Sequence, residues 1–119
     1  MEYERQNILG NALMLFGYDA QIELAIEEMG ELLVAINHHK RGRVDVSAVQ
    51  EEIADVKIAM DQLAMIYGEE GVSEFEKKKL ERLKNRIVIR LQESLWTKKK
   101  ERNKPIDSGR PTGRSNPHE

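Results

Sequence analysis

The sequence of 119 residues contains no cysteine, only three prolines, and few aromatic residues, which make up 5% of the chain. The absence of cysteine excludes disulfides, thiolate zinc sites and cysteine nucleophiles, and it fits a reducing cytoplasm. The scarcity of aromatic residues argues against a β-sandwich, because sheets favour aromatic and β-branched side chains. No apolar run approaches the roughly 18–20 residues that a membrane span needs, and the acidic residues 1–4 do not resemble a signal peptide. We therefore expect a cytoplasmic protein without a membrane partner.

The net charge of −2 is the balance of an acidic body and a basic tail. Residues 97–119 contain seven basic and three acidic residues, whereas residues 1–96 contain 12 basic and 18 acidic ones. All three prolines also lie in this tail, which has almost no apolar residue with which to build a core. The sequence thus predicts one domain over residues 1–96 and a disordered basic tail over residues 97–119. Only the tail has the charge expected of a nucleic-acid contact.

Apolar residues recur at helical spacing in four segments of the body, and a glycine follows each of the first three. The segments are residues 4–16, 19–40, 47–67 and 73–96. Asp19, Ser47 and Ser73 stand where N-caps would begin the last three helices. No stretch alternates like a strand, so we expect an all-α fold, a helical bundle of about four helices. Its last helix would contribute a core stripe of Leu80, Leu83, Ile87 and Leu91.

Two acidic clusters stand beside the apolar stripes of the second and third helices. They are Glu27-Glu28-x-x-Glu31 and Glu51-Glu52-x-x-Asp55. Spacings of three and four place these carboxylates on one face of each helix, where every like-charge pair costs roughly 0.2–0.5 kcal/mol. If the two helices pack antiparallel, the carboxylates converge on one pocket and must take up protons or bind a divalent cation. Oxygen ligands of this kind suit Mg²⁺ or Mn²⁺; the alternative interpretation is an acidic solvated face.

The wording around these clusters, AIEEMGELLVAI and EEIADVKIAMDQLAMIYG, resembles the MazG-like, all-α nucleoside triphosphate pyrophosphohydrolases, a superfamily that includes the dimeric dUTPases. The resemblance covers about residues 20–90, and KKKLERLKNRI is similar to the basic helix of that family. It implies a homodimer or homotetramer of MazG-like helical domains. It also implies Mg²⁺-dependent hydrolysis, by a metal-activated water, of the α–β phosphoanhydride of a (d)NTP, giving (d)NMP and pyrophosphate.

Carried over by position, the resemblance makes Glu28, Glu31, Glu52 and Asp55 the metal ligands. Glu27 and Glu28 become the candidate catalytic residues, since a glutamate beside the attacking water can orient it or act as a general base. Lys79 and Arg82 are the candidate contacts to the substrate phosphates, and the alternative interpretation is a solvated basic face.

A second hypothesis is that the protein is not an enzyme. The chain would then be a non-catalytic helical adaptor, for example a self-associating bundle, that binds nucleic acid through residues 97–119. His38 and His39 favour neither function, because cations at the end of a helix are stabilised by its dipole. Neither histidine completes a Glu-x-x-His pair, which argues against a ferritin-like di-iron site. Asp61 and Gln62 lie two turns past the second cluster and could reach a nucleobase, but we expect them to face solvent.

Overall fold

The computed structural model describes residues 2–106, which form four α-helices and no strand. The helices are α1 (Glu2–Phe16), α2 (Tyr18–Lys40), α3 (Val46–Tyr67) and α4 (Glu69–Arg102). The predicted all-α class and the number of helices are therefore confirmed. The predicted disorder of the tail falls in large part on residues 107–119, which lie outside the described residues.

Single glycines join two pairs of consecutive helices. Gly17 stands between α1 and α2, and Gly68 stands between α3 and α4. Their φ angles are +90° and +117°, values that glycine adopts without the steric cost that a side chain would bring. The amide of Gly68 also donates to the carbonyl of Ala64 at 2.8 Å, which satisfies a carbonyl at the end of α3.

The predicted cap of α3 is displaced by two residues. The N-cap is Asp45, whose carboxylate accepts a hydrogen bond from the backbone amide of Ser47 at 3.0 Å and a second one from its hydroxyl. Aspartate caps a helix at least as well as serine. The helix therefore begins after Asp45, the first of the two capping residues along the chain. At α2 the N-cap is Gly17, without a side-chain cap, and Asp19 lies in the first turn, where the helix dipole favours acid.

The bounds of α4 differ from the prediction at both ends. The helix begins at Glu69 instead of Ser73, because two glutamates in its first turn are themselves favourable. It continues six residues past Trp96 to Arg102, and its last turn contains the basic residues that a helix end favours. The first part of the segment predicted to be disordered is therefore helical. Pro105 follows three residues after the helix, as is common beyond a C-terminus.

The chain divides into two compact units, Met1–Glu76 and Lys77–Glu119. In the first unit α2 packs along α3, and α1 contacts both. The buried apolar side chains are Leu9 and Leu13 of α1, Ala25 of α2 and Ala59 of α3. An ion pair between Arg5 and Asp61 also joins α1 to α3.

Two glutamines are buried within about one helical turn of the buried alanines of α2 and α3. Gln21 precedes Ala25 by one helical turn, Gln62 follows Ala59 by three residues, and each glutamine is only 6% exposed. The expectation that Gln62 faces solvent is thus wrong. Gln62 lies three positions after the buried Ala59, and residues at this spacing share a helix face. The carboxylate of Asp61, also expected to face solvent, pairs with Arg5.

Among the described residues of the second unit, 77–106, the helical part is the C-terminal part of α4, and no residue of α4 is buried. Its apolar stripe, expected in a core, remains 43–59% exposed at Leu80, Leu83, Ile87 and Leu91. None of the helices in residues 2–106 combines the length and the apolar character that crossing a membrane requires.

The small core of the first unit makes Leu13 a sensitive position. We expect Leu13→Ala to lower the free energy of unfolding by about 2–3 kcal/mol, because it removes buried apolar contacts and leaves a cavity. Its neighbour Met14 is 85% exposed, so Met14→Ala should change that free energy by less than about 0.5 kcal/mol. Urea denaturation followed by circular dichroism measures both. Equal losses in the two variants would contradict the assignment of the core.

Candidate metal centre

The candidate site lies on the facing sides of α2 and α3. Glu28 and Glu31 occupy one face of α2, and Glu52 occupies α3. One carboxylate oxygen of each of these three residues lies within 4.8 Å of the other two. The antiparallel packing of the two helices therefore brings together three of the four predicted metal ligands.

Asp55, the fourth predicted ligand, is not a member of that group of three but adjoins it. The carboxylates form two pairs across the helix interface, Glu28 with Asp55 and Glu31 with Glu52, and each pair is close enough to share a hydrogen bond. Because a carboxylate has no donor of its own, such a bond needs a proton on one partner. From Glu28 to Glu31 the residue number rises along α2, whereas from Asp55 to Glu52 it falls along α3. The two helices are therefore antiparallel.

Crowding changes the acidity of the two half-buried members of the cluster. Burial raises the pKa of Glu28 above its usual value, and the charges of Asp55, Glu31 and Glu52 raise it further. Burial likewise raises the pKa of Glu52, with added repulsion from Glu31, Asp55 and Glu51. Both shifts have the direction expected of carboxylates that are crowded together at partial burial.

Two oxygens of the cluster have an unmet requirement for a donor or a cation. Among the described residues, Oε2 of Glu28 and Oε2 of Glu52 are buried and have no hydrogen-bond partner. A buried polar atom without a partner is costly. Carboxylate oxygens are the donors that Mg²⁺ and Mn²⁺ prefer, so these residues fit a hard divalent cation.

A groove of about 640 Å³ opens beside the carboxylates, between α2 and α3. Its walls change in character along its length. Acidic side chains stand at one part of it, namely Glu27, Glu31, Glu51 and Glu52. Small and apolar side chains line the rest, namely Val34, Ala35, Val44 and Ala48, together with His38. The volume lies within the range of small-molecule sites.

The other predicted site residues are not members of the carboxylate cluster. Glu27, a candidate catalytic residue, is exposed and lines the groove. Lys79 and Arg82 are exposed residues of the second unit, and their phosphate-binding role stays a prediction. Sequence reasoning missed the place of His38 in the groove. The signal was available, because His38 follows Glu31 by seven residues, two helical turns along the same face.

Comparisons of this chain with known protein families, with curated proteins and with solved structures found no match. The resemblance to the MazG-like enzymes therefore stays a prediction from the residues quoted above. The conclusions that follow depend on the carboxylate cluster and its surroundings.

The raised pKa values predict how stability depends on pH when no divalent cation is present. A glutamate whose folded-state pKa exceeds its unfolded value stabilises the fold below the unfolded pKa, near 4.5. That contribution is lost as the pH rises through the folded pKa. We therefore expect Glu28→Gln to raise the melting temperature at pH 7 in EDTA, and to bring no such gain at pH 4.

The matched control is Glu23→Gln, which neutralises an exposed glutamate of the same helix outside the cluster. It should leave the melting temperature nearly unchanged at both pH values. Equal effects of the two substitutions at pH 7 would show that net charge, and not the crowding of the cluster, causes the gain.

Proposed function

We propose that this protein is a Mg²⁺-dependent nucleotide pyrophosphohydrolase, which cleaves the α–β phosphoanhydride of a (d)NTP to give (d)NMP and pyrophosphate. The observation that carries the proposal is the convergence of Glu28, Glu31 and Glu52, with Asp55 adjoining, on one interface of two helices. The similarity of the surrounding sequence to the MazG-like enzymes supplies the reaction. A solvated acidic face would leave its carboxylates apart and fully hydrated.

The two buried oxygens without partners, on Glu28 and Glu52, support a cation in the cluster. A bound Mg²⁺ or Mn²⁺ would supply charge neutralisation for the phosphates and lower the pKa of a water molecule. In this proposal Glu28, Glu31, Glu52 and Asp55 hold the cation. Without it, the same carboxylates would repel a triphosphate, so the proposed activity requires the cation for binding as well as for chemistry.

The groove supports a nucleotide as the substrate. Its acidic part, which includes Glu27, adjoins the cluster, and its apolar part offers small side chains against which a base could lie. Glu27 is exposed to the groove, where it can accept a proton from an attacking water or orient that water. This placement would separate the end that holds the phosphates from the end that holds the base.

Two further parts of the proposal come from the family resemblance. The protein would act as a homodimer or homotetramer, and Lys79 and Arg82 would contact the phosphates. Positive charge at these positions would stabilise the pyrophosphate as it leaves.

Metal binding and activity test the proposal together. Mg²⁺ or Mn²⁺ should raise the melting temperature, since a ligand at a hundredfold excess over its Kd adds about 2.7 kcal/mol to the free energy of unfolding. Pyrophosphate release from a panel of NTPs and dNTPs should fall at least about tenfold in Glu28→Gln and in Asp55→Asn. Glu23→Gln, exposed on the same helix, is the control and should keep both properties.

Activity that survives both substitutions unchanged would refute the proposed metal site. A chain with neither a metal-dependent melting shift nor pyrophosphate release would favour the non-catalytic adaptor. That alternative predicts nucleic-acid binding that weakens with salt and is lost when residues 97–119 are deleted.

The proposed phosphate contacts can be tested within one helix. We expect Lys79→Ala to lower kcat/KM about tenfold or more, by removing a charge-assisted contact to the phosphates. The control is Lys77→Ala, which removes the same charge from an exposed position about 200° around the helix. Equal losses in the two variants would indicate a general effect of net charge and exclude a specific role for Lys79.

A further inference from the structure

The exposed apolar stripe of α4 is too regular to be a random feature of a solvated helix. Leu80, Leu83, Ile87 and Leu91 follow one another at spacings of three, four and four residues, which keeps them on one side of the helix. Each is 43–59% exposed. Sustained spacing of this kind is the pattern of a helix that packs lengthwise against another helix.

The stripe also has an internal symmetry. When the direction of the helix is reversed, the pattern superposes on itself to within one residue, with Leu80 on Leu91 and Leu83 on Ile87. A second copy of α4 in antiparallel orientation would therefore place apolar residues opposite apolar residues along the whole stripe. The centre of such a pair lies between residues 85 and 86.

The charges of α4 favour the same orientation. Residues 69–76 contain four glutamates and no basic residue, and residues 95–102 contain four basic residues and one glutamate. Antiparallel pairing about the centre of the stripe places each of these segments opposite the other. It also places residues 77–79, all lysine, opposite residues 92–94, which include Glu93. Parallel pairing would instead place every charged segment opposite its own copy, where like charges repel.

The size of the helix is adequate for a stable contact. The 34 residues of α4 extend for about 50 Å. Specific interfaces need roughly 800 Å² per partner, contributed by about 20–30 residues, and a lengthwise pair of such helices approaches that size. Lys79 and Arg82 lie outside the stripe, so the pairing leaves them accessible.

We propose that two copies of this chain associate through their α4 helices, in antiparallel orientation, with Leu80 against the partner's Leu91 and Leu83 against the partner's Ile87. The proposal does not depend on the metal site, and it goes beyond the homo-oligomer that the family resemblance implies, because it assigns the surface and the orientation. The experiments below measure the association of two chains, and the carboxylate cluster takes no part in that association.

The absence of native cysteine allows the orientation to be tested with single-cysteine variants of the full chain. Leu80→Cys and Leu91→Cys are oxidised separately and as a mixture. Antiparallel pairing predicts a disulfide in the mixture that joins the tryptic peptides 80–82 and 91–98, with little disulfide in either variant alone. Disulfides that form within each variant alone would indicate parallel pairing, and no disulfide in any sample would indicate another surface. Either result would overturn the proposal.

Sedimentation equilibrium tests the stripe itself. Ile87→Glu should raise the Kd of the dimer at least about tenfold, because it places a charge in the apolar interface. The matched control is Ile89→Glu, which makes the same change at a residue of similar exposure about 200° around the helix; its Kd should stay within about twofold of the unchanged protein. Equal effects of both variants, or an unchanged protein that sediments as a monomer, would overturn the proposal.

Discussion

The antiparallel packing of α2 on α3 is the constraint from which the candidate site follows. Each of these helices has a buried small residue, Ala25 in α2 and Ala59 in α3, and small residues let helix backbones approach closely. Each helix carries its carboxylates about one turn beyond its alanine, Glu28 after Ala25 and Asp55 before Ala59. Because α2 and α3 are antiparallel, a position after the alanine of α2 lies opposite a position before the alanine of α3. A parallel arrangement of the same two sequences would not place these carboxylates in such pairs.

That packing has an energetic consequence. Four carboxylates are held near one another at an interface that is partly shielded from water, and two of their oxygens lack partners. Polar residues at a helix interface can be stabilised by mutual hydrogen bonds, but carboxylates cannot provide the donors. Protons or a cation must supply the missing positive charge. The raised pKa of Glu28 and that of Glu52 reflect the first solution, and the proposed function uses the second.

The sequence predicted what depends on local periodicity. The four helices follow from apolar spacing, and the convergence of Glu28, Glu31 and Glu52 follows from i, i+3 positions on two amphipathic helices with a short connection. The burial of Gln62 is not predicted, because sequence periodicity does not show how closely the neighbouring helices pack around a polar residue of α3. The C-terminal end of α4 differs from the prediction for another reason. Proline and charge in residues 97–119 suggested disorder, but lysines near a helix end extend the helix.

The small core of the single chain gives the proposed association and cation binding a consequence for stability as well as for the proposed activity. Only four apolar residues of the described chain are buried, while many large apolar residues are exposed on α1, α2 and α4. Hydrophobic burial is the main favourable contribution to folding. The small core therefore leaves little stabilising free energy to offset the repulsion within the carboxylate cluster. A partner or a cation that binds only the folded state would add its binding free energy to the free energy of unfolding. The proposed metal site and the proposed α4 pairing would each add stability in this way, independently of the other.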